Sequence, residues 1–210
     1  MRRFLIFSGM ALALAGSVAM ATVPAAGDWL IGPIIKGRNY SPGMPLRPSA
    51  SREGLFEIDL PRAPGSVHYV TFRHGSLAGK RRIILRYRLE TARGARVVAT
   101  TAPSTPGIIT PYFQRAGDNW SGRGRFESYR WYGTFATRTL EAGQYEIVAP
   151  LDGRWTAVET SSAESNPEGF RAAIADTHEV GFVLGGGDGY GHGVHATGPA
   201  RLIVTDFRVE

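Results

Sequence analysis

Four side chains able to bind polar ligands or exchange protons lie in one glycine-dense stretch near the C-terminus. Asp188, Tyr190, His192 and His195 fall within residues 181–195, where glycine recurs throughout. We interpret this stretch as a loop between a buried strand and a long closing strand. In such a loop, Asp188 and His192 are placed to hydrogen-bond sugar hydroxyls beside the Tyr190 ring. A strained connection at a sheet edge is the alternative, because glycine also allows close backbone approach and positive φ angles.

Phosphate and metal chemistry fit this loop less well. Loops that bind phosphates or dinucleotides lead into a helix, whereas this one continues into Val194 and a predicted strand. Calcium-binding β-rolls repeat their glycine motif in tandem, and this sequence has one such cluster. His192 and His195 are three residues apart, so in an extended segment they point to opposite faces and cannot chelate one metal ion without a turn.

A second candidate set is the mixture of aromatic residues and arginines within residues 112–132. Aromatic rings can stack on the C–H face of a sugar while arginines bind its hydroxyls, in a concave site with few polar groups. We expect an exposed Trp120, because glycine and serine lie around it, with Trp131 as a second platform and Arg130 as a polar contact. Phe126 is expected in the core. On this reasoning, replacing Trp120 or Arg130 with alanine weakens binding and barely changes the melting temperature.

Strands must position these residues, because from residue 55 onward the chain consists of short apolar–polar alternations separated by turn signals. Within residues 82–89 the apolar positions 85, 87 and 89 share one face, and arginines occupy positions 86 and 88 on the other. Asn166 as an N-cap and Pro167 at the first position predict one short helix. The sequence therefore predicts an all-β sandwich or barrel. The other predicted strands are residues 55–59, 67–72, 95–99, 125–132, 144–148, 154–159, 180–184 and 201–210.

The order of elements in roughly the last 60 residues resembles a known family. A strand carrying Trp155, a helix at 170–175, a buried strand at 180–184 and a terminal strand at 201–210 follow one another. This order is similar to the last third of jelly-roll β-sandwiches of the galactose-binding-like and carbohydrate-binding-module group. The resemblance implies a jelly-roll β-sandwich with one short helix near residues 167–175, and carbohydrate binding.

The same resemblance implies a structural calcium ion. Jelly-roll binding modules often hold calcium with a carboxylate from the last strand, which here corresponds to Asp206. Calcium takes several oxygen ligands, and Glu53 or Glu57 would supply part of the remaining shell. An ordinary solvent-facing Asp206 is the alternative.

The N-terminus has the pattern of a secretory signal peptide. Arg2 and Arg3 precede an apolar run, and Ala19-Met-Ala21 is typical of a cleavage site. The run is shorter than a membrane-spanning helix requires. We therefore predict a periplasmic or secreted protein without a transmembrane segment after signal cleavage. The predicted parts are a signal peptide at 1–21, an extended lead-in at 22–54 and a β-sandwich domain at 55–210.

The composition of the chain limits the classes of partner that we expect it to bind. The 210 residues carry a formal charge of +6 and no cysteine, and loss of Arg2 and Arg3 with the signal peptide lowers the charge to +4. Arginine-rich surfaces suit hydroxylated or anionic partners, and export argues against nucleic acid. We expect a polysaccharide or other glycan, an anionic one included; a basic surface without a specific partner is the alternative. The absence of cysteine excludes a cysteine nucleophile and thiolate metal ligands.

Three functions remain open, and none is supported by a complete catalytic motif. The first is a non-catalytic carbohydrate-binding protein, which an aromatic platform without a Tyr-His-Arg cluster would favour. The second is a polysaccharide lyase acting on an anionic glycan, favoured by a groove containing Tyr190, His192 and arginines. Residues 112–117 are similar to one alginate-lyase motif, but its companion motifs are missing. The third is a structural envelope protein, which a flat apolar patch would favour. We assign no catalytic residue.

Overall fold

The computed structural model describes residues 24–65, 67–158, 161–187 and 190–210. The predicted signal peptide lies outside these residues. Short 3-10 helices are found at Ala26–Asp28, Gly124–Ser128 and Thr134–Ala136, and the α-helix α1 at Pro167–Ala175. The strands are β1 (Trp29–Gly32), β2 (Ile34–Ile35), β3 (Arg38–Asn39), β4 (Ser49–Ala50), β5 (Phe56–Asp59), β6 (His68–Arg73), β7 (Arg82–Thr91), β8 (Val97–Ala99), β9 (Ile108–Arg115), β10 (Arg130–Tyr132), β11 (Arg138–Thr139), β12 (Gly143–Pro150), β13 (Thr156–Ala157), β14 (Thr177–Gly185), β15 (Val194–Ala196) and β16 (Ala200–Val209).

Two antiparallel sheets form the body of the protein. The larger sheet has the order β1-β6-β14-β9-β10-β13, with β11 also paired to β9. The smaller sheet has the order β12-β7-β16-β5-β4. Two-stranded pairs, β15 with β8 and β2 with β3, lie outside them. The predicted all-β sandwich with one short helix is confirmed.

The alternation predicted for β7 is present and places its apolar side chains in the core. Leu85, Tyr87 and Leu89 are buried. The arginines between them lie on the outer face, where Arg86 forms an ion pair with Glu146 on β12 and Arg88 with Glu53 before β5. Because one slip in register would exchange the two faces, this pattern fixes how β7 pairs with β12 and β16.

The core between the sheets is centred on an aromatic cluster that includes the N-terminal segment. Trp29 on β1 is fully buried, and its ring centroid lies 4.7 Å from those of Phe56 and Phe72 and 5.1 Å from that of Phe207. These rings come from both sheets. The segment predicted as an extended lead-in therefore supplies β1 to the larger sheet and β4 to the smaller one.

The predicted helix is found where its local signals place it. The Asn166 side chain accepts a hydrogen bond from the Gly169 N–H at 2.9 Å, and Pro167 occupies the first turn. Its Phe170 packs against the core ring of Trp131, with centroids 4.9 Å apart. Among the described residues, no helix has the length and apolar character of a membrane span.

Two of the stretches that differ from the sequence prediction lie in the larger sheet or beside it. Residues 125–132 were expected as one strand, but a 3-10 helix covers Gly124–Ser128 and only Arg130–Tyr132 is extended. Phe126 is accordingly half-buried on this turn rather than in the core. The central strand β9 was not predicted, because Pro111 in its middle cannot donate a ladder hydrogen bond. The carbonyl of Pro111 accepts a hydrogen bond from the Gly133 N–H. The Pro111 nitrogen, which carries no hydrogen, faces the same side, where the break between β10 and β11 requires no donor for the ladder.

Candidate functional site

The outer face of the larger sheet carries an unusual set of aromatic and polar residues. The register aligns Tyr132 on β10 with Tyr112 on β9, and Tyr112 with Gly181 on β14. Tyr69 on β6 lies on the same face. Together with Val183, the three tyrosines form a second apolar cluster, separate from the core between the sheets. This face is therefore packed under loops instead of being freely solvated.

A cleft of about 490 Å³ opens above this tyrosine cluster. Its size is within the range of small-ligand sites. We call it the aromatic cleft, and its main side chains are Tyr40, Tyr69, Trp120, Arg130, Tyr132, Tyr190 and His192.

The cleft floor contains a pair of buried tyrosine hydroxyls. Those of Tyr69 and Tyr132 lie 2.8 Å apart and hydrogen-bond to each other. Burial is the main cause that raises the pKa of both phenols, and the nearby Arg130 charge offsets part of the effect. Both hydroxyls are therefore protonated at neutral pH and available as donor or acceptor. Tyr190 lies above them, its ring centroid 5.2 Å from that of Tyr132 and its side chain partly exposed.

One wall of the cleft is built on a buried ion pair. Arg130 Nε lies 2.9 Å from Asp118 Oδ2, with side chains 8% and 1% exposed. The Arg130 N–H is not aligned with that oxygen, so the contact is ionic rather than a well-directed hydrogen bond. Asp118 also accepts from Gln114 Nε2 and from the Trp120 backbone N–H. Burial raises the pKa of Asp118, and the Arg130 charge opposes this shift. The Arg130 charge is therefore largely neutralised within the protein.

Trp120 connects the ion pair to the cleft. The Arg130 guanidinium lies 4.9 Å from the Trp120 ring centroid, and the Tyr69 ring meets it edge-on at 5.2 Å. The Trp120 backbone has a φ of 65°, in the left-handed region that bulky residues rarely adopt. Such strain is maintained only where surrounding contacts hold it, and it is concentrated at functional sites.

The glycine-dense loop also borders the cleft, and its backbone lies close to the rings of Tyr69 and His68. A Cβ on Gly191 would lie 2.6 Å from the Tyr69 ring, and Gly193 has a φ of 79° beside the His68 ring. His68 is buried and links three segments: its Nδ1 lies 2.6 Å from Ser41 Oγ, and its Nε2 lies 3.0 Å from the Val194 carbonyl. Desolvation by burial lowers the pKa of His68, so the ring is neutral near pH 7.

The aromatic cleft brings together four of the six predicted ligand-binding residues. Trp120, Arg130, Tyr190 and His192 all line it. Trp120 was expected to be exposed and is half-buried. Arg130 was expected as a polar contact and is 6% exposed. Their alanine variants can therefore no longer be expected to leave the melting temperature unchanged.

Of the other two predicted residues, the structure places Trp131 away from the cleft. Trp131 is fully buried in the core on the opposite face of β10, since consecutive strand residues point to opposite faces, and it has no surface to offer a ligand. Asp188 lies outside the described residues. His195 is half-buried on β15 and does not line the cleft.

Asp206 lies in an ion-pair network on the outer face of the smaller sheet. Its Oδ2 is 2.9 Å from Arg208 Nε and 3.7 Å from Arg86 Nη1. Glu53 pairs with Arg88, and Glu57 with Arg201 at 3.4 Å. Within the described part of the chain, no group of three or more His, Asp or Glu side chains is arranged to hold a metal ion. The calcium site implied by the resemblance stays a prediction.

Sequence reasoning missed Tyr69, Asp118 and Gln114. A sequence signal existed for Asp118, which lies two residues before Trp120 in the predicted aromatic stretch. None existed for Tyr69, because its partner Tyr132 is 63 residues away. No protein-family model matches the chain, and no curated protein matches it at a significant level. The function must therefore be argued from the cleft itself.

Proposed function

We propose that this protein is an exported carbohydrate-binding β-sandwich and that the aromatic cleft is its glycan site. The observation that carries the proposal is the juxtaposition of an exposed Tyr190 ring and the Trp120 ring with the hydroxyl pair of Tyr69 and Tyr132. A sugar has C–H faces that stack on aromatic rings and hydroxyls that exchange hydrogen bonds. Tyrosine and tryptophan supply both functions from a stiff side chain.

The protonation state of the two buried tyrosines favours binding over catalysis by their hydroxyls. A lyase must remove a proton from a carbon atom, which requires a base with an accessible unprotonated form. Burial raises the pKa of Tyr69 and Tyr132, which works against a phenolate base. The Arg130 charge is taken up by Asp118 rather than left for a substrate carboxylate. The cleft floor is therefore suited to hold hydroxyls.

A lyase acting on an anionic glycan is the second candidate. The observation that favours it is the presence of Tyr190, His192 and Arg130 along one cleft. In this case His192, which is exposed, would be the proton acceptor. An assay for unsaturated sugar products separates it from simple binding.

Binding is tested with Tyr190→Ala on a panel of neutral and acidic polysaccharides. Phe135→Ala is the matched control, because Phe135 is 42% exposed, close to the 36% of Tyr190, and lies outside the cleft. We expect Tyr190→Ala to weaken binding about fivefold or more, since truncating an aromatic residue that dominates a contact costs more than about 1 kcal/mol, and the control to leave it unchanged. Equal affinities for the two variants, or no glycan bound by the wild type, would refute the proposal.

A further inference from the structure

A second cleft lies at one edge of the same sheet and is larger than the aromatic cleft. Its volume is about 860 Å³. It takes residues from the end of β6, the turn before β7 and the end of β16. We call it the basic cleft, and its charged or titratable lining residues are Asp28, Arg47, Arg73, His74, Lys80, Glu179 and Arg208.

Two of its cations are already used by the protein. Arg47 donates to the Gly27 and Trp29 carbonyls, and Arg208 is held by Asp206 at 2.9 Å and by Glu210 at 2.8 Å. These arginines shape the wall and are not free to bind a ligand with their full set of donors.

Arg73 and Lys80, in contrast, are exposed and form no ion pair with any residue of the described ranges. Arg73 is directly opposite Glu179 in the register of β6 and β14. The Glu179 carboxylate nevertheless accepts from Thr71 Oγ1 at 3.0 Å and leaves the guanidinium unpaired. On the outer face of the smaller sheet, Arg82 and Arg86 each reach a carboxylate. Arg73 and Lys80 thus form no ion pair with either carboxylate that lines the cleft, Asp28 or Glu179.

The two clefts share one sheet face. Tyr69, Thr71 and Arg73 alternate along β6, so their side chains project to the same side. At about 3.3 Å per residue, Tyr69 and Arg73 are roughly 13 Å apart along the strand. A short oligosaccharide is long enough to span this separation.

We propose that the basic cleft binds a carboxylate or sulfate group of the same glycan that occupies the aromatic cleft, which makes an acidic polysaccharide the ligand. The inference rests on the proposed function. Arg73 presents a planar fork that matches an oxyanion with two parallel hydrogen bonds, and Lys80 adds a compact charge. The aromatic cleft selects for a sugar, and the basic cleft selects for its acidic substituent.

The test compares length-matched neutral and uronic acid oligosaccharides by calorimetry at low salt, with Arg73→Gln, Lys80→Gln and Tyr190→Ala. Arg93→Gln is the matched control, because it removes the same charge from an exposed residue that lines neither cleft. We expect Arg73→Gln to lower affinity for the acidic oligosaccharide about tenfold or more, consistent with loss of a charge-assisted hydrogen bond. Affinity for the neutral one should not change. Tyr190→Ala should lower both.

The possible results are distinguishable. If acidic and neutral oligosaccharides bind wild type equally, or if Arg93→Gln acts like Arg73→Gln, the basic cleft is not an anion site and the aromatic cleft still stands. If Tyr190→Ala changes neither affinity, the proposed function fails. Inorganic sulfate, titrated while backbone amide shifts are followed, tests the basic cleft without a sugar: shifts confined to the surroundings of Arg73 and Lys80 support it, and shifts of similar size around Arg93 overturn it.

Discussion

Replacing Asp118 with asparagine should destabilise the fold far more than its position in a loop suggests. The substitution keeps the side-chain size and an oxygen that can accept from the Trp120 N–H, but it removes the charge opposite Arg130. The guanidinium, in a side chain that is 8% exposed, is then buried without a counterion. Breaking a buried ion pair from one side costs about 3–5 kcal/mol. For a domain of this size, this corresponds to a fall in melting temperature of roughly 6–20 °C.

Asp59 provides a control of the same chemistry at the same distance. Its Oδ1 lies 2.9 Å from Arg201 Nε, but the two side chains are 78% and 45% exposed. Exposed pairs contribute about 0–1 kcal/mol. Asp59→Asn should therefore barely change the free energy of unfolding. A larger loss for Asp118→Asn would report the buried setting, in which Asp118 also accepts from Gln114 and Trp120.

The assay is urea unfolding followed by tryptophan fluorescence and circular dichroism, with the free energy of unfolding extrapolated to water. A third variant, Asp118→Asn combined with Arg130→Met, removes the stranded charge and should recover much of the loss. If Asp118→Asn and Asp59→Asn cost the same within about 1 kcal/mol, or if the double variant is no more stable than Asp118→Asn, the ion pair is not the buried support of the cleft that the geometry indicates.

Two further predictions concern the loops around the cleft. Because burial lowers the pKa of His68 from its usual 6.5, the unfolded chain binds the proton more readily than the folded one. Stability from this group is complete above pH 6.5 and is lost as the pH falls below it, by up to about 1.4 kcal/mol per pH unit. His68→Gln, a neutral side chain with both a donor and an acceptor, should flatten the dependence of the urea midpoint on pH below pH 6.5; an unchanged slope would contradict this. Gly191→Ala places a methyl group 2.6 Å from the Tyr69 ring, so it should shift that ring and lower both stability and glycan affinity. Gly75→Ala, whose Cβ meets nothing within 4 Å, should leave stability unchanged, and equal losses for the two alanines, measured by thermal unfolding, would exclude the close contact.

The elements that the sequence predicts well are those with local causes. The helix α1 follows from the Asn166 cap and Pro167, and the hydrogen bond from Gly169 N–H to Asn166 confirms the cap. The inward face of β7 follows from the period-two alternation of a half-buried strand. Both signals lie within a few residues, so no knowledge of partners is needed.

The parts that could not be predicted depend on pairing between distant segments. Strand β9 could not be predicted because it contains Pro111. A proline is tolerated there only because β10 and β11 pair with β9 on either side of a break. The burial of Arg130 depends on Asp118 and on the turn between them, which composition does not reveal. The choice of Trp131 as a platform could have been avoided, since Arg130 and Trp131 are adjacent on a strand and must face opposite sides.

The two outer faces of this sandwich differ in how their polar and charged side chains are accommodated. On the smaller sheet, charged side chains such as Arg86 pair with acids in solvent, where such pairs need no buried support. The larger sheet instead buries an ion pair and three tyrosine hydroxyls, and it carries a half-buried Trp120 with a left-handed backbone. Each is unfavourable unless its partners are held in place. The strained and desolvated groups are gathered on one face, which supports our proposal that this face binds the ligand.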